Sequence, residues 1–232
     1  AGATESINLA FTVLKSFSGG NVVISSIEHA SVREAAKNFS ETVREVAVDQ
    51  TGYLNLKDLE SKIDDQTVLV SIALANNELG VIAPLSEVAT IIKKVRLDRL
   101  RRQIETPIYL HSDASQALSL IDLRVARLGV DLLTVNSAKV YGPKGIGALY
   151  LAHGIKLSPI TFGGGQELGL RSGTENVTGL AGFAAAAKIA KDHLNGNRKK
   201  YEKISHLFRE TLISEAARME LKTPLKFLGN KK

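Results

Sequence analysis

The sequence predicts an α/β fold, a mostly parallel central sheet sandwiched by helices, and three observations lead there. Short β-rich runs alternate with amphipathic stretches along the chain, the pattern of repeated strand–helix–strand units. The run Thr67-Val68-Leu69-Val70-Ser71-Ile72-Ala73-Leu74 is nearly continuous and apolar, as a central strand covered on both faces should be. A chain of 232 residues with 44% apolar and 23% charged content can bury a substantial core.

The first helix is expected over residues 5–16, opened by the small residues Gly2-Ala3-Thr4. Strands follow over 21–25, 43–48, 67–75, 108–111, 131–135 and 147–151, each a short β-branched or apolar run. Helices are expected over 31–39, 55–63 and 85–102, where apolar residues recur at helical spacing. Asn55 can cap the second of these, with Asp58 three residues on. A last long helix, 179–217, starts Ala/Gly-rich and becomes charged and amphipathic, as a helix leading out of a large domain would.

Composition excludes several classes. There is no cysteine, so disulfides, thiolate metal sites and cysteine nucleophiles are absent from these residues. The five histidines show no HxxxH or HxH spacing, and no metal site is expected. The formal charge of +6 is concentrated in 93–102 and 198–232, where basic and acidic residues interleave with Leu and Ile as on solvated helix faces. With 5% aromatics there is no base-stacking surface, and nucleic acid is not expected as the main partner. No apolar stretch approaches the roughly 18–20 residues needed to cross a bilayer. The opening Ala1-Gly2-Ala3-Thr4-Glu5-Ser6 lacks a basic segment and an apolar one, so a cytoplasmic location is expected.

Candidate site residues cluster where an α/β sheet brings its strand ends together. Lys139 follows the run 131–135 and precedes the glycine-rich turn Tyr141-Gly142-Pro143-Lys144-Gly145. Held at a buried strand end, its amine would be desolvated and usable as a nucleophile. Ala3 and Thr4 at a helix N-terminus suit a phosphate, and suit an ordinary N-cap equally. Asp113 stands just beyond a strand, as the charge partner of a protonated ring nitrogen or as a solvent-facing cap. Asn76-Asn77 ends the central strand, either to meet a cofactor oxygen or to make an Asx-turn. His29, after Glu28, could stack on a flat cofactor and act as acid or base, or decorate a helix start. In the order His, Asn, Asp, Lys, these residues together describe a pyridoxal-phosphate site.

The segments AGATESINLA, SSIEHASV, VSIALANNELGVIAP, LHSDASQA, AKVYGPKGIGALY and GGGQELGLRSGTENV resemble the cysteine desulfurases, class V aminotransferases among the fold-type I pyridoxal-phosphate enzymes. The resemblance runs in order from residue 1 to about 190. It implies that Lys139 forms the internal Schiff base and then shuttles a proton, and that His29 stacks over the ring. It assigns Asp113 to the pyridinium nitrogen and Gln116 to the ring phenolate, with Asn77 beside it. Ala3, Thr4 and Asn136 would hold the phosphate, and Thr174 would reach the phosphate of a partner subunit, which implies a homodimer. The implied substrate is L-cysteine, converted to L-alanine with persulfide sulfur passed to sulfur-acceptor or scaffold proteins for iron–sulfur or thio-cofactor assembly.

Three departures stand out. The family usually carries a serine three residues before the lysine and a histidine directly before it; here these are Asn136 and Ala138. Loss of the charge-assisted contact would cost about 1.5–3 kcal/mol, roughly tenfold to a hundredfold in affinity, with Ser137 as a partial substitute. Residues 95–105 look longer than the family's usual connection. The family extends beyond this chain at both ends, and its nucleophilic cysteine and substrate-carboxylate arginine lie in the later part. The chain therefore reads as a fragment: residues 1–190 the cofactor-binding large domain without its N-terminal part, and 191–232 a connecting helix and the start of a truncated small domain. Such a fragment is expected to be inactive alone and marginally stable. Two other readings are a cysteine-independent class V lyase or aminotransferase, and a catalytically silent dimerisation or scaffold homologue.

Overall fold

The computed structural model describes residues 1–219, with Leu225 and Phe227. Six strands form one sheet: β1 (Asn21–Ser25), β2 (Val43–Val46), β3 (Thr67–Ser71), β4 (Tyr109–Asp113), β5 (Leu132–Asn136) and β6 (Gly147–Leu151). Their order is β2-β1-β3-β4-β5-β6. All neighbours are parallel except β5 and β6, which run antiparallel. The fold is the predicted α/β arrangement.

Alternation along each strand assigns residues to two faces. One face carries Val22, Ile24, Leu69 and Leu132 and packs beneath α1 (Ala3–Phe11) and α2 (Ala30–Phe39) through Ile7, Ala10, Phe11, Val32 and Ala36. The other carries Val23, Val70, Leu110 and Leu133 beneath α3 (Leu56–Lys62), α4 (Leu85–Arg101) and the short α5 (Val125–Leu128). With strands buried on both sides, the near-continuous apolar reading of β3 has its cause.

Several boundaries differ from the sequence expectation. The first helix is α-helical only to Phe11, and Thr12–Ser16 tightens into a 3-10 turn in which the Thr12 hydroxyl donates to Leu9 O at 2.6 Å. β2 ends at Val46, and β3 ends its regular ladder at Ser71, since β1 has run out beside it. The Ile72 and Leu74 amides still donate to His111 O and Asp113 O of β4. β4 runs through Asp113 rather than ending at residue 111, and β5 is shifted one residue onward. Asn55 caps α3 as expected, accepting from the Lys57 and Asp58 amides at 3.1 Å. α5 went unrecognised in the sequence; it closes on Gly129, whose φ of 69° needs no Cβ. The long terminal helix is broken at His193 into α6 (Val177–Asp192) and α7 (Leu194–Arg218). The weak helix formers Asn195-Gly196-Asn197 follow at once. α7 has no buried residue.

Arg99, expected on a solvated face, is buried; its guanidinium donates to Thr106 O, Asp64 O and Thr67 O at 2.6–2.9 Å. Among the described residues no helix is long and apolar enough to cross a membrane.

Candidate active site

In a parallel sheet every C-terminal strand end opens on the same edge, so β1, β3, β4 and β5 deliver their following turns to one place. On the α1 face, the apolar alternation gives way near that edge to Ser71, His111, Asp113, Thr134 and Asn136. His111 is fully buried. Its Nδ1 lies 2.8 Å from the Ser71 hydroxyl, its Nε2 lies 3.0 Å from the Thr134 hydroxyl, and its ring packs edge-on to Phe11 at 6.0 Å. Burial pulls its pKa down to about 4, against the pull of Asp113, so the ring is neutral and cross-links three strands.

Two residues beyond His111 on the same face, Asp113 ends β4. One carboxylate oxygen accepts from the Ser115 amide at 2.9 Å. Gln116 follows, half-buried, one short turn later. Asp113 is aligned with Thr134 of β5, and two residues further Asn136 is aligned with Gly147 of β6.

Gly147 makes the next link. A Cβ there would sit 2.6 Å from the Gly2 carbonyl carbon, so two glycines let the start of α1 rest against the end of β5. Gly2 has φ 89° and supplies no capping side chain, which leaves the first-turn amides of α1 without a side-chain acceptor. Thr4 is exposed there and Ala3 half-buried. Glu5 of the same turn accepts from Arg171 at 3.1 Å, tethering the loop that carries Thr174. Thr174 is itself exposed.

Asn136 caps a 3-10 turn, Ser137–Val140, by accepting from the Ala138 amide at 3.1 Å. The turn carries Lys139 and closes on Tyr141, a non-glycine residue at φ 63°. Lys139 is exposed, so the burial expected from its strand-end context is absent. Ser137, expected as a partial substitute for the histidine missing at 138, is fully buried beside Gly142, and its hydroxyl has no hydrogen-bond partner among the described residues.

His29 and Asn77 lie on the turns after β1 and β3, and both are exposed. His29 caps α2, its Nδ1 accepting from the Ser31 amide at 3.1 Å. Asn76, not Asn77, makes the Asx-turn: its Oδ1 accepts from Glu78 and Leu79, and its Nδ2 donates to Ile27 O at 2.8 Å. Asn77 thus keeps its amide for another partner. The structure therefore brings Ala3, Thr4, Asp113, Asn136 and Lys139 to adjoining strand ends. His29 and Asn77 stand on the neighbouring turns, and the loop bearing Thr174 is held by Arg171 on Glu5 and by α6, which packs against Val140 and Ile146. Sequence reasoning missed the supports Ser71, His111 and Thr134; a histidine within an apolar strand, two residues before the aspartate, was the available signal.

The residues fit a phosphorylated pyridine aldehyde: an amine, a carboxylate on the same edge, and a helix start whose amides lack a capping side chain. A family model described as aminotransferase class-V matches residues 1–224. The chain belongs to the aminotransferase class-V family. Cysteine desulfurase IscS 1 of Archaeoglobus fulgidus is 43% identical over 195 residues, covering 82% of this chain and 48% of that protein. The mitochondrial cysteine desulfurase of Saccharomyces cerevisiae is 37% identical over 222 residues, covering 92% and 42%. Among solved structures, a NifS-like protein superposes with a TM-score of 0.84 at 37% identity, covering 92% of this chain and 57% of that one. This class-V chain spans about half the length of the curated relatives it matches.

Proposed function

We propose that this chain is the pyridoxal-phosphate-binding core of a cysteine desulfurase, with L-cysteine as substrate and L-alanine as product. Residues 1–190 form its large domain in this reading, and 191–232 lead into a second one. The observation that carries it is the meeting of Lys139, Asp113 and the α1 N-terminus on one sheet edge, in a chain whose relatives bear that name. Bound there, the cofactor would supply an electron sink for the substrate's α-carbon. Asp113 would hold the proton on the ring nitrogen. The α1 amides, the Thr4 hydroxyl and Asn136 would bind phosphate. Lys139 would carry a proton to and from the substrate carbon, while His29 covers one side and Gln116 and Asn77 donate to ring oxygen.

The chain contains no cysteine, so the thiol that receives sulfur has no counterpart among these residues and this segment alone is inactive. Phe162, Leu168 and Val177 are 71–97% exposed beside the Thr174 loop, which favours a homodimer sharing Thr174 across its interface. The location proposed is cytoplasmic, the sulfur going to an acceptor or scaffold protein for iron–sulfur assembly. A silent scaffold is the second reading, favoured by Ala138 and by the exposed lysine. Adding pyridoxal phosphate to the protein separates the two. A lysine-adduct absorbance band that disappears in Lys139→Ala is the expected result, and its absence in the wild type overturns the enzyme reading.

A further inference from the structure

Glu28 is the one buried carboxylic acid that this chemistry leaves unused among the described residues. It precedes His29 and is 3% exposed. Beyond Ser71, the amides of Ile72 and Leu74 turn toward β4, so that of Ala73 faces the side where β1 has already ended. Glu28 Oε1 takes the place of the missing strand carbonyl and accepts from Ala73 at 2.7 Å. In the opposite direction, Asn76 Nδ2 donates to Ile27 O at 2.8 Å. The turn bearing His29 and the turn bearing Asn77 are thereby clamped by two reciprocal side-chain bonds. Glu28 Oε2 has no partner and is buried. Ser25, Ile27, Ala73 and Asn76 join Glu28 around a recess of about 20 Å³, room for one water.

We propose that Glu28 is a positioning residue of this site, a buried, uncharged acid that locks the His29 turn to the Asn77 turn. This rests on the functional reading above. Burial pushes the Glu28 carboxyl up to about 8, with the Ala73 amide acting against it, Asp113 reinforcing the rise and Arg33 of α2 opposing it. The folded chain thus keeps a proton that the unfolded chain releases above the ordinary value of 4.5. Its stabilising contribution is full below 4.5 and is lost as pH rises through about 8.

The test compares wild type with Glu28→Gln, which keeps the acceptor and carries no charge, and Glu28→Leu, which has neither oxygen. Between pH 6.5 and 8, above the range in which His111 titrates, the thermal midpoint of wild type should fall relative to that of Glu28→Gln. A constant difference means an ionised Glu28 and overturns the proposal. Glu28→Leu should expose the Ala73 amide to hydrogen exchange and weaken pyridoxal phosphate binding about tenfold. Glu28→Gln should restore both. If Glu28→Leu does not fold, Asn76→Ala, which removes the opposite half of the clamp, should give the same loss of cofactor affinity. Undiminished affinity in whichever of these two folds overturns the positioning role. If wild type takes up no pyridoxal phosphate, the functional reading fails, and Ala73 exchange still decides whether the clamp exists.

Discussion

The two faces of the sheet are cut from the same strands and do different things. Under α4 the strands present Val23, Val70, Leu110 and Leu133, interrupted near the edge by the small hydroxyls of Ser25 and Ser112, the latter donating to Ile72 O at 2.6 Å. Under α1 they begin alike, with Val22, Ile24, Leu69 and Leu132, and then change to Ser71, His111, Asp113, Thr134 and Asn136. The first face supplies burial, the second surrenders some of it to hold polar groups in fixed positions. Each hydroxyl next to His111 is satisfied by that ring, so the polar face is stable only as a set.

Truncation on the apolar face gives the largest expected effect. Leu110→Ala removes a fully buried side chain, and chemical denaturation should show a loss of about 2–5 kcal/mol. His111→Phe probes the polar face. It leaves the Ser71 and Thr134 hydroxyls unpartnered, a cost of about 1–3 kcal/mol for each one that stays buried. His111 is neutral when folded, with its pKa lowered from 6.5 to about 4. Its contribution is complete above 6.5 and is lost as pH falls toward 4, so stability–pH curves of His111→Phe should lack that acid slope. The sign is opposite to that of Glu28, and the two slopes oppose each other in mildly acidic solution.

Gly147→Ala should separate the faces by function. A methyl group would meet the Gly2 backbone at under 3 Å, so α1 must shift from the end of β5. Pyridoxal phosphate affinity, followed by absorbance titration, should drop at least about tenfold, as expected for one lost charge-assisted phosphate contact. The smallest effect is expected far from either face, at Asp64. Burial works against its charge, but hydrogen bonds from Arg44, Asn21, Thr67 and the Gln66 amide hold its carboxyl well below the usual range. It is partly exposed, so Asp64→Asn should cost only about 1 kcal/mol or less. A larger loss there would mean that the sheet's opposite edge matters as much as its functional one.

How far the sequence could be read follows from the range of the interactions. β3 was legible because burial on both faces writes itself into consecutive residues, and the Asn55 cap because its partners are two and three residues away. Lys139, Asp113 and the α1 start were legible as types in order. Their environments were not. Glu28 looks like any surface glutamate until Ala73, 45 positions on, is laid beside it. Lys139 was expected to be buried because its strand is; the strand stops at Asn136, and the 3-10 turn carries the amine outward. The extension of β4 to Asp113 depends on an amide donated by Leu74, a contact distant in sequence that local pattern does not encode. The break at His193 is local, and the weak helix formers Asn195-Gly196-Asn197 were its available signal.

That outward turn has a thermodynamic consequence. Its backbone is fixed at one end by the Asn136 cap and at the other by a left-handed Tyr141, so residue 139 keeps its freedom in its side-chain torsions. Capturing the amine in a covalent link would then forfeit up to about 2 kcal/mol of rotamer entropy while asking no rearrangement of the main chain.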